Sequence, residues 1–87
     1  MHTAVAEQRR ETRHIVQGEV RLGIGGTETI GDLIDVSGFG FRARHDSPTL
    51  QPGQEVSFQH RFFVGKAEVV WTHPLGAQFD SGFRILR

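Results

Sequence analysis

Apolar side chains recur at every second position through most of this chain, and that period leaves little room for anything but β-structure. Val20, Leu22 and Ile24 alternate with Glu19, Arg21 and Gly23, the pattern of a strand with one face buried. Thr29 to Ile34 continues as extended chain, and Phe39, Phe41 and Ala43 alternate with Gly40, Arg42 and Arg44. Val56, Phe58, His60, Phe62 and Val64 make another row, and Ala67, Val69 and Trp71 the next inward one. Ala77, Phe79, Phe83 and Ile85 close the chain. Turns are expected at Gly25-Gly26, Gly65-Lys66 and Thr72 to Gly76, with a loop from Asp46 to Gly53 marked by Pro48, Pro52 and glycine. No stretch repeats at helical spacing. Short strands joined by glycine-containing turns define an all-β domain, an antiparallel barrel or sandwich. Eleven glycines allow its bends and seven phenylalanines fill its interior.

A chain of 87 residues cannot divide into two separately cored units. Ten basic residues balance ten acidic ones, so no net field draws the protein to a nucleic acid polymer or a membrane surface. There is no cysteine for a disulfide or a thiolate metal site. The start lacks the apolar core of a secretory signal, and no apolar run approaches a membrane span. A cytoplasmic domain is the expectation. Residues 1–14 carry no apolar stripe and read as a flexible arm ahead of a barrel over 15–87.

Two short signatures carry the chemistry. Arg9-x-x-x-Arg13 places two permanent cations in the arm, with Arg10 between them. Asp35-x-Ser37-x-x-Gly40 places a carboxylate and a hydroxyl on a turn whose Gly38 and Gly40 let backbone approach a ligand closely. Arginine forks match phosphate oxygens and the O6/N7 edge of guanine, and a carboxylate matches guanine's N1–H and N2–H donors. Together they describe a site for a guanine nucleotide that carries phosphates. The same residues also admit plainer readings: a solvated basic terminus, and a turn whose side chains cap local amides.

Other chemistries find less support. Gly23 to Gly26 is followed by neither a lysine nor a helix, so it reads as a hairpin turn rather than a phosphate loop. The five histidines are scattered without metal-ligand spacing, and Ser37 has no nucleophile-elbow context. No catalytic residue and no metal ligand is assigned. A binder of single-stranded nucleic acid would need a basic groove with outward aromatics, against which the charge balance speaks.

The two signatures, their order, and the later Val69-Val70-Trp71 and Leu75-Gly76-Ala77-Gln78-Phe79 resemble the PilZ domain, a bacterial receptor for cyclic di-GMP. The resemblance runs from about residue 8 to residue 80. It implies a six-stranded antiparallel barrel without enzymatic activity. It also implies that Arg9 and Arg13 contact guanine and phosphate, with Arg10 within reach of a phosphate. Asp35 and Ser37 would hold the ligand from the barrel side, with Gly38 and Gly40 shaping the turn. The implied output is an arm ordered by ligand and read by an effector protein, the domain being a monomer or weak homodimer. Two departures stand out. Gln8 occupies a position where many members carry arginine, which bears on how many nucleotides bind. The chain also ends at Arg87 without the helix that members often carry after the last strand, so that barrel end is expected to be open or covered by a partner. The alternative function is a PilZ-like interaction adaptor that binds no nucleotide.

Overall fold

The computed structural model describes residues 14–15, 17–61 and 63–87, and all regular structure among them is β. The strands are β1 (His14–Ile15), β2 (Glu19–Ile24), β3 (Thr27–Val36), β4 (Gly40–His45), β5 (Glu55–Gln59), β6 (Val64–Leu75) and β7 (Gln78–Leu86). Neighbours run in the order β3-β2-β5-β6-β7-β4, and β4 pairs back onto β3. All these pairings are antiparallel, so six strands close a barrel, as the alternation and the PilZ resemblance implied. The two-residue β1 lies on β3 beyond the end of β2, with His14 opposite Val36 and Ile15 opposite Asp35. Arg9, Arg10 and Arg13, and with them most of the expected arm, lie outside the described residues, as does Phe62.

The core is what the alternation assigns inward. Val20, Leu22, Phe41, Ala43, Val56, Phe58, Ala67, Val69 and Phe83 are all buried, joined by Leu33 and Leu50. Phe41 stacks on Phe83 at 4.7 Å between ring centroids and meets Phe58 at 5.0 Å, in the tilted and stacked geometries that aromatic quadrupoles favour.

Four expectations need correction. Gly65 and Lys66 are not a turn; both lie inside β6, paired with Phe58 and Ser57. A Cβ on Gly65 would only touch the Phe58 ring, at 3.4 Å, so this glycine serves neither a bend nor a close approach. The hairpin is closed between His60 and Phe63 instead, where the His60 N–H donates to the Phe63 carbonyl at 2.7 Å and the Phe63 N–H returns the bond at 3.2 Å. Val64 consequently falls outside the core, 78% exposed. Thr72 to Leu75 is strand, and the turn tightens to Gly76-Ala77, where Gly76 takes the left-handed φ of 63° that favours glycine. Phe39 is 59% exposed in the β3–β4 turn rather than packed inside.

The fourth correction concerns Trp71. Strict alternation puts it inward with Ala67 and Val69. A β-bulge between Val69 and Trp71 inserts one extra residue, so Val69 pairs with Phe83 but Trp71 pairs with Gly82. One inserted residue changes the face of everything beyond it. A second bulge, between Leu33 and Asp35, does the same on β3: Leu33 opposes Ala43, and Asp35 opposes Arg42.

Candidate functional site

The two bulges build the outer surface of the barrel. Arg42 lies between the core residues Phe41 and Ala43, so its side chain points outward, and Gly82 lies likewise between Ser81 and Phe83. Asp35 pairs with Arg42, Arg42 with Gly82, and Gly82 with Trp71. Four strands thus carry one lateral row, Asp35–Arg42–Gly82–Trp71, across the outside of the barrel. Had β3 kept its period, Asp35 would share the inward face with Leu33 and bring a carboxylate into the core, which is costly without a partner. The bulge delivers it to arginine instead.

Arg42 grips Asp35 through Nε, at 3.1 and 3.0 Å from the two carboxylate oxygens, and through Nη2. The hydrogen bond that Arg42 donates to Asp35 raises the Arg42 pKa above its ordinary value against the smaller effect of desolvation, so the guanidinium is permanently charged. Asp35 is nearly covered, while the Arg42 side chain stays 43% exposed. One row over, Arg44 makes the same fork to Asp80, Nε–Oδ1 2.8 Å and Nη2–Oδ2 3.2 Å. In the other direction Arg84 pairs with Glu68 across β6–β7.

Between these cations lies a groove of about 510 Å³, bounded by Phe39, Gly40, Arg42, Trp71, Gly82 and Arg84. Its floor is low because two positions lack side chains. A Cβ on Gly82 would overlap the Nε1 edge of the Trp71 indole, and one on Gly40 would overlap the Phe83 carbonyl oxygen. Gly40 is therefore required by the approach of β4 to β7. The Trp71 ring is stacked on His73 at 4.7 Å, which fixes an aromatic wall at one end of the groove.

The turn that joins β3 to β4 caps itself. The Ser37 hydroxyl oxygen accepts the N–H groups of Phe39 at 3.2 Å and Gly40 at 3.3 Å, and the Ser37 N–H donates to the Gly40 carbonyl at 2.8 Å. The last strand clamps it from outside: the Ile85 N–H donates to the Phe39 carbonyl at 2.8 Å and Arg87 Nη2 to the Gly38 carbonyl at 2.6 Å. Gly38 has open space where a Cβ would sit and no left-handed φ, so nothing in the barrel itself demands glycine there.

Asp35, Ser37, Gly38 and Gly40 are thus gathered at one end of the barrel's outer surface, and β1 runs beside them. Sequence reasoning missed Arg42, Trp71, Gly82 and Arg84, because their common face depends on the two bulges and no local pattern announces a bulge. Among the described residues no group of His, Cys, Asp or Glu side chains is arranged to hold a metal ion, and no helix is long and apolar enough to cross a membrane.

A closed antiparallel barrel with an ion-paired, aromatic-walled groove beside a self-capped D-x-S-x-x-G turn defines a small binding domain. The family model of the PilZ domain matches residues 7–87, and the chain belongs to that family. PilZ domains are binding and adaptor modules, in general for cyclic di-GMP. A comparison with curated proteins gave no match.

Proposed function

We propose that this chain is a cyclic di-GMP receptor that signals by closing the Arg9-x-x-x-Arg13 segment over ligand held on the outer face of the barrel, for a downstream effector to read. One observation carries the reading. β1 pairs His14 with Val36 and Ile15 with Asp35, so the strand that directly follows the Arg9-x-x-x-Arg13 signature in sequence lies beside the D-x-S-x-x-G motif. The two signatures stand 22 residues apart in sequence, and this pairing supports their meeting at one ligand.

The ligand chemistry follows from the groove. Arg42 and Arg84 keep outward N–H groups for phosphate oxygens while their carboxylate partners fix their direction, so less side-chain freedom is lost on binding. Trp71 gives a flat face for a purine, a contact worth about 1–3 kcal/mol per base. Arg9 and Arg13 then add forks to guanine edges and phosphates, each good bidentate contact discriminating by about 1–3 kcal/mol.

Calorimetric titration of cyclic di-GMP, with GTP as a control nucleotide, tests the reading. Saturable binding that falls by tenfold or more in Arg9→Ala/Arg13→Ala, with the barrel still folded, is the expected result. Absence of heat from the folded wild-type chain would leave the PilZ-like adaptor without nucleotide as the function.

A further inference from the structure

Among the described residues, the core does not fill the end of the barrel that carries the β3–β4 turn, the start of β6 and the end of β7. A cavity of about 510 Å³ opens there. Its floor is Val20, Leu33, Phe41 and Phe58, each no more than 6% exposed. Its rim includes Phe63 and Val64, 38% and 78% exposed, and Arg87. Ligand pockets of about 300–1,000 Å³ with apolar walls and a few placed polar groups favour the mouths of barrels.

Charge narrows the occupant. Arg87 is the only side chain with a permanent charge among the described residues lining the mouth, and none of those side chains carries a carboxylate. Its guanidinium spends one N–H on the Gly38 carbonyl and keeps others for an acceptor. Apolar exposure also continues past the cavity onto the hairpin at Val64, more surface than a compact small molecule would cover, and such rimmed patches mark protein contacts. We infer that the mouth docks a polypeptide segment of a partner protein, an aliphatic or aromatic anchor seated on the floor with an adjacent carboxylate at Arg87.

This surface is distinct from the nucleotide groove but shares a wall with it. Ser37 and Gly38 line the mouth, Phe39 and Gly40 line the groove, and the turn they form is held by Arg87 and Ile85. Docking therefore bears on the same four residues as the proposed ligand, and it is measurable without nucleotide.

The test uses the blocked tripeptide acetyl-leucyl-aspartyl-leucinamide and its asparaginyl counterpart, titrated into the labelled full chain and followed by amide chemical shifts. Saturable shifts at Val36, Gly38, Ile85 and Arg87 are expected, with the asparaginyl peptide about fivefold weaker, the range of a solvent-accessible ion pair. Arg87→Gln should erase that fivefold difference, and Val64→Glu should abolish binding of both peptides. Both substitutions are at exposed positions, so an unchanged spectrum elsewhere verifies the fold. Shifts confined to the outer groove, or a charge preference that persists in Arg87→Gln, would overturn the assignment. So would concentration-dependent self-association lost in Val64→Glu, which gives the mouth to a second copy. Decanoate binding a hundredfold tighter than either peptide would give it to a lipid-like ligand.

Discussion

Asp35 faces Arg42 across β3 and β4 because one residue, Ile34, is left over in the ladder between them. The two side chains are unequal in their access to water: 6% for Asp35 and 43% for Arg42. Loss of either partner is therefore felt differently. Arg42→Ala leaves a covered carboxylate without this counterion and is expected to cost about 2 kcal/mol. Asp35→Ala leaves a guanidinium that water can reach and should cost under about 1 kcal/mol. Urea denaturation of both variants checks the order. Equal losses would mean that the asymmetry of burial does not govern the pair.

Gly82 and Trp71 form the next test, with a convenient reporter, since Trp71 is the only tryptophan in the chain. Because a Cβ at Gly82 collides with the indole edge, Gly82→Ala must push the ring off the strand and away from His73. The expected destabilisation is about 1–3 kcal/mol, accompanied by a shift in tryptophan emission as the ring becomes more solvated. If Trp71 is the purine wall, Gly82→Ala also weakens cyclic di-GMP binding more than a distant substitution of equal stability cost. An unchanged emission spectrum would show that the ring has another resting place.

Arg84 offers a variant in which binding and stability separate. Its pair with Glu68 is largely exposed, and exposed pairs contribute about 0–1 kcal/mol. Arg84→Ala should leave the thermal midpoint nearly unchanged while weakening cyclic di-GMP by about three- to tenfold, with a shallower dependence on salt. Calorimetry at two ionic strengths reads both numbers. Full-strength binding by this variant would remove Arg84 from the ligand surface.

How far the chain could be read in advance depends on where its period holds. Val20, Leu22, Phe41, Ala43, Val56 and Phe58 keep their spacing of two, and each is buried as expected. Asp35 and Trp71 lie past single-residue insertions, and parity alone puts both on the wrong face. A bulge is set by the register of the partner strand, which no window of local sequence contains. Glycine misleads for a related reason: Gly65 lies against the Phe58 ring and Gly82 against the Trp71 edge, each within a strand and facing its hairpin neighbour rather than forming a turn. The motif Asp35-x-Ser37-x-x-Gly40 was legible as a turn. The plainer reading of a turn whose side chains cap local amides is met by Ser37, but that Arg42 occupies the carboxylate was not legible.

At the opposite end of the barrel, a buried polar chain makes stability depend on pH. His45, 1% exposed, accepts the Ser47 N–H on Nδ1 at 3.1 Å and meets the Ser81 hydroxyl with Nε2 at 2.7 Å, and Ser81 continues to Thr72 Oγ1 at 2.7 Å. A backbone N–H can only donate, so Nδ1 carries a lone pair and the proton sits on Nε2. The native imidazole is neutral. Burial pushes its pKa below the ordinary histidine value, outweighing the attraction of Asp46 and Asp80. Above about pH 6.5 the ring is neutral both folded and unfolded, and this contribution to stability is fully present. Below it the unfolded chain takes up a proton that the native site resists, and stability falls by up to about 1.4 kcal/mol per pH unit until the lowered native pKa is passed. Asp80, held by Arg44 below the usual carboxylate range, loses its contribution only at more acid pH, so the two effects separate. Urea melts between pH 7.5 and 5 should show the decline in the wild type and a flatter profile in His45→Gln. The same slope in both proteins would assign the effect to another group.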